Sequence, residues 1–112
     1  MDQADVKRIV SELQREWGGP GGFLYDFRDA KFNKEAFDRA LATLQSIDFG
    51  EDALVPRDLI AEIWEIPLFL ECNYQIVIER GADHRIVVDA KILMTHVVEQ
   101  KIEGAGHMRR QT

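Results

Sequence analysis

The chain has 112 residues, 46% of them hydrophobic and 30% charged, with a formal net charge of −6. That size and apolar content suit one modest core and exceed what a disordered chain carries. The negative charge excludes nonspecific nucleic-acid binding, which depends on Lys and Arg displacing counterions from phosphates. No run approaches the ~18 apolar residues of a membrane span. The start, Met1 to Asp5, lacks the basic and apolar regions of a signal peptide, so a cytoplasmic location is expected.

Val6, Ile9, Val10, Leu13 and Trp17 recur at three- and four-residue steps and predict a helix from Asp5 to Trp17. Gly18-Gly19-Pro20-Gly21-Gly22 ends it. Six of the ten aromatics lie between Trp17 and Phe37, so this glycine-rich turn is expected to be packed down by rings. Asn33 is a favourable N-cap for a helix from Lys34 to about Ile47, with Phe37, Leu41, Leu44 and Ile47 as its apolar stripe.

Pro56 suits the first position of a helix running to Glu65, which Pro67 should break or kink. Leu59, Ile63, Ile66, Leu70, Tyr74 and Val77 nevertheless keep helical phase across that proline, to an end at Arg80 with Gly81 as its cap. Cys72, the sole cysteine, excludes an intrachain disulfide and a Cys-based zinc cluster; its apolar surroundings read as core.

A last helix is expected from Arg85 to about Ile102, with Ile86, Ala90, Leu93 and Val97 in line and Val87, Met94 and Val98 beside them. The β-branched content of 74–80 and 85–89 around a short Gly-containing loop also fits a C-terminal β-hairpin. The expected fold is therefore an all-α bundle of four or five helices in one domain, 1–103, with a loose tail at 104–112. The α+β hairpin form is the alternative.

No catalytic, cofactor or metal motif emerges. The glycine run follows a helix rather than a strand and lacks the Lys-Ser/Thr pair of a phosphate loop. His84, His96 and His107 match no zinc spacing, and no cofactor is implied. Charge is the informative feature. Seven acids (Asp48, Glu51, Asp52, Asp58, Glu62, Glu65, Glu71) and one base, Arg57, occupy 48–71, whereas the rest of the chain is balanced. Asp58, Glu62 and Glu65 share a helical face opposite the apolar stripe, close to Trp64, Leu68 and Phe69. Acids around an aromatic anchor suit docking of a basic protein, since steering speeds encounter and anchors slow release.

The helix leading into Gly18-Gly-Pro-Gly-Gly-Phe-Leu-Tyr-Asp26, followed by the acid-faced segment Val55 to Leu70, resembles the small acidic immunity proteins that bacteria encode beside polymorphic or contact-dependent toxins. The resemblance is one of size, charge and helical plan over about positions 4–103. It implies a non-enzymatic inhibitor of one basic toxin domain, often a nuclease, without direct nucleic-acid or membrane contact. Glu51, Asp52, Asp58, Glu62, Trp64 and Glu65 are the candidate partner-binding residues. The alternative is a structural or regulatory module that homodimerises through apolar residues such as Phe69 and Ile76.

Overall fold

Asp2 opens the first helix, α1 (Gln3–Gly18), by accepting the Asp5 amide on its carboxylate at 2.8 Å. The computed structural model describes residues 2–49 and 56–110, with side chains as far as Glu103. Ile9 and Leu13 of α1 are fully buried, and the next position in phase is Glu16, equally buried.

The segment after the glycine turn, which carries no periodic signal, closes into a short helix, α2 (Phe23–Arg28). Its Phe23, Leu24 and Phe27 are buried, and the Phe23 ring lies 5.3 Å from Phe37 and 5.4 Å from Phe27. Rings therefore do pack the turn down. At its end the Lys31 amide donates to the Asp26 carbonyl at 2.8 Å and the Ala30 amide to Phe27 at 3.1 Å, a Schellman ending. Ala30 holds φ +64 there, a left-handed position that disfavours a Cβ. Ala30→Gly should raise stability by ~0.5 kcal/mol and the melting temperature by ~2 °C, since relief of that strain exceeds the added unfolded-state entropy. A lower melting temperature would count against this account of the turn.

Asn33 caps α3 (Lys34–Gln45) as expected, its side-chain oxygen accepting the Ala36 amide at 3.1 Å. The helix stops two residues before Ile47. Lys101 then reaches across to donate to the Ile47 carbonyl at 2.7 Å and to Gln45 at 3.3 Å, placing a cation on that helix end.

Pro56 sits at the N-cap of α4 (Arg57–Ile63) rather than inside it. Pro67 does break the run: without an amide hydrogen it cannot continue the ladder, so Trp64 and Glu65 form a turn before α5 (Ile66–Glu79). Leu59, Ile63, Ile66, Leu70 and Val77 are buried across the joint, so the phase read through the proline is real.

α5 ends in a second Schellman turn. Gly81 takes φ +115, the Ala82 amide donates to Val77 at 3.3 Å and the Gly81 amide to Ile78 at 3.0 Å. Asp83 then caps α6 (His84–Arg110), accepting the Ile86 amide at 3.0 Å. Both flanks of this loop are thus helical, and the hairpin alternative over 74–89 is not formed.

Six helices and no strand make up the described residues, an all-α bundle. The count exceeds four or five because α2 had no sequence signature. α5 and α6 form an antiparallel pair; α1 packs on α2, α3 and α4, α2 reaches α5, and α3 reaches α6 around one core.

Two expectations need correction. Cys72 is exposed, because it projects from the side of α5 opposite Leu70 and Val77. Ile86 and Leu93 are 49% and 43% exposed, because α6 turns Val87, Ala90, Met94, Val97 and Val98 inward instead. The α6 backbone continues past Gly104 to Arg110. A glycine inside a helix costs ~1 kcal/mol but leaves its hydrogen bonds intact, so it need not end one.

Candidate partner-binding surface

The break at Pro67 shapes the surface around the α4–α5 joint. Trp64 has helical backbone angles, φ −66 and ψ −26, so it projects one position past the buried Ile63, away from the core. It is 56% exposed and Leu68 is 67% exposed. Trp64 therefore belongs to the surface. Phe69 is only partly exposed: its ring meets Trp17 edge-on at 4.8 Å and lies 6.2 Å from Phe27, which ties it to the core. Ile76, its companion in the homodimer alternative, is 48% exposed.

The acids around Trp64 divide into two kinds. Asp58 and Glu65 are exposed, and among the described residues neither enters an ion pair. Glu62 is half-buried and accepts from Gln14 Nε2 at 3.0 Å, so it leans toward α1 rather than standing free in solvent as expected. Glu62 and Glu65 share a shallow cleft of about 230 Å³ with Gln14, Trp17 and Ala61, whereas Asp58 lies one turn earlier on α4, outside it. Glu71 is engaged elsewhere, bridged at 2.7 Å to Lys91, whose ammonium also lies 4.2 Å from the centre of the Tyr74 ring. Glu51 and Asp52 lie outside the described residues.

A second polar cluster escaped sequence reasoning. Glu16 is 2% exposed, yet its carboxylate is saturated: Oε2 accepts from Arg39 Nε at 2.8 Å, while Oε1 accepts from Arg39 Nη2 at 2.8 Å and from the Phe23 amide at 2.9 Å. Arg39 Nη2 also donates to the Gly21 carbonyl at 2.8 Å. The Gly21 amide in turn donates to Asp26 at 3.2 Å. The hydrogen bond to Glu16, then the attraction of its charge, raises the Arg39 pKa against the opposing pull of burial. A raised cation contributes its stabilisation fully at neutral pH and loses it only as pH climbs through the folded value. These side chains hold the glycine turn between α1 and α3, which is a structural use of the residues.

Among the described residues no group of three His, Cys, Asp or Glu is placed to hold a metal ion, and no helix is long and apolar enough to cross a membrane. His84 and His96 are exposed on α6, 12 positions apart.

Comparison with protein-family models, with curated proteins and with solved structures finds no match to this chain. The geometry of the surface therefore carries the functional reading.

Proposed function

We propose that this chain is a non-enzymatic binding protein of the cytoplasm that neutralises a basic partner, in the manner of an immunity protein occluding a toxin domain. The observation that carries the reading is the large exposed Trp64–Leu68 pair at the α4–α5 joint, with Glu65 next to Trp64 in the chain and Asp58 exposed earlier on α4, acids without a counter-charge among the described residues. An exposed Trp is a frequent hot spot, and unpaired acids near it can attract Lys or Arg without first breaking an existing ion pair. Trp64 is the anchor, Asp58 and Glu65 supply attraction, and Glu62 adds to the local field while holding Gln14.

The partner to test is a basic C-terminal domain of a large secreted protein encoded beside this gene. Replacing Asp58, Glu62 and Glu65 together by Ser should weaken its binding by ~10- to 100-fold and flatten the salt dependence, as measured by titration calorimetry across ionic strengths. Affinity and salt slope equal to those of the native chain would sink the acidic-face reading.

A further inference from the structure

α5 is apolar on two sides. Its inner side, Ile66, Leu70 and Val77, is buried in the bundle, while Leu68 and Ile76 on its outer side are 67% and 48% exposed. Large apolar side chains on the outer side of a helix, here between the polar Glu71, Gln75 and Glu79, are candidates for contact with a further element. The exposed side is also ordered. Leu68, Cys72 and Ile76 follow one another at four-residue steps along α5, all exposed, and form a ridge ~12 Å long, with the exposed Trp64 preceding them in the α4–α5 turn.

Acids outnumber bases along that ridge, which ends at the exposed Arg80. From Asp58 to Glu79 the chain has five acids and no base. Glu65 and Glu79 are exposed along the ridge, and Glu71 is answered only by Lys91 from α6. A ridge of four-step side chains is what a second helix packs into its own groove, at a crossing angle of about −50°. Acids on its borders select a helix with Lys or Arg flanking its apolar face. A second copy of this chain would bring the same excess of acids to the contact, and so fewer cations than a Lys- or Arg-flanked helix supplies.

We infer that the α5 ridge is the seat of a basic amphipathic helix supplied by the partner, with Trp64 and Leu68 at one end and Ile76 at the other. This rests on the acidic-surface reading above and deepens it: it fixes the form of the partner element and extends the footprint from the α4–α5 joint along α5, which charge attraction at Asp58 and Glu65 alone would not require.

Cys72 provides the test, because it is the only thiol in the chain and lies in the middle of the ridge. The probe is a synthetic Leu/Lys peptide of about 18 residues (~27 Å of helix) with its leucines in helical phase, compared with a scrambled isomer of the same composition. The readout is the rate at which iodoacetamide alkylates Cys72 in the full chain, followed by mass spectrometry beside peptide binding at two salt concentrations. The in-phase peptide should slow alkylation by about tenfold at saturation and the scrambled isomer should not. Leu68→Ser and Ile76→Ser should abolish protection, whereas Ile92→Ser, at a 58% exposed apolar position on α6, should leave it intact.

Salt-dependent binding of both peptides with Cys72 alkylated at its free rate would overturn the helix seat while leaving the acidic surface standing. Absence of binding by either peptide would overturn the seat as well. Protection that grows with protein concentration in the absence of peptide would assign the ridge to a second copy and overturn it too.

Discussion

Gly22→Ala should destabilise this protein by about 3 kcal/mol, while Gly18→Ala, four residues away in the same glycine-rich stretch, should change it by less than ~0.5. At Gly22 an added Cβ would lie 2.5 Å from the Glu16 carbonyl oxygen and 2.6 Å from that of Arg15. Both are backbone atoms of the last turn of α1, which is fixed by the buried Ile9 and Leu13. They cannot swing aside as a side chain would. Gly22 has φ −78 and ψ 141, extended backbone open to any residue, so the whole penalty is steric. Around Gly18 nothing lies within 4 Å of the added carbon, and alanine is the better helix former. Thermal denaturation by circular dichroism should separate the two variants by ~10 °C. Equal melting temperatures would mean that α1 and the α2 start are not in the close contact described.

The contrast shows what the sequence could and could not disclose. The run of four glycines and a proline announces a turn, and the aromatics around it announce that the turn is packed. Which glycine is indispensable depends on how closely α2 returns over α1, a long-range distance that no local pattern encodes. The α4–α5 ridge was legible to the same degree. Helical phase through Pro67 correctly gave Leu59, Ile63, Ile66, Leu70 and Val77 as the inner side. Cys72 was read as core from its apolar neighbours although helical phase sets it opposite Leu70 and Val77, and Phe69 was read as available although Trp17 holds it. The Phe69 contact depends on what α1 and α2 cover. α6 was misaligned for a related reason: Ile86 and Leu93 are as apolar as Val87 and Met94, and only the placement of α3 and α5 decides which line turns inward. Composition did isolate the acidic segment, yet it could not tell the unpaired Asp58 and Glu65 from Glu62, held by Gln14, or Glu71, held by Lys91.

Removing Arg39 should cost about 2–3 kcal/mol, less than the 3–5 typical of breaking a fully buried pair, because the guanidinium side is half in water. The side chain of Glu16 is 3% exposed and that of Arg39 53%. Arg39→Met therefore leaves a carboxylate enclosed among apolar groups, with only the Phe23 amide still donating to it. Adding Glu16→Gln to that variant should recover ~1–2 kcal/mol, since the amide oxygen still accepts from Phe23 while no unpaired charge remains buried. The two substitutions are thus expected to be strongly non-additive, with the double variant more stable than Arg39→Met alone, as measured by urea denaturation. Additive losses would mean that the pair is not coupled, and the clamp on the Gly21 carbonyl would then have to be held by something else. A sign of this centre was present in the sequence. Glu16 follows Ile9 and Leu13 in helical phase, and a charge at a core position of an otherwise clean stripe has to be answered from another element. Its distant answer, 23 residues away on α3, is what anchors the turn from α1 into α2.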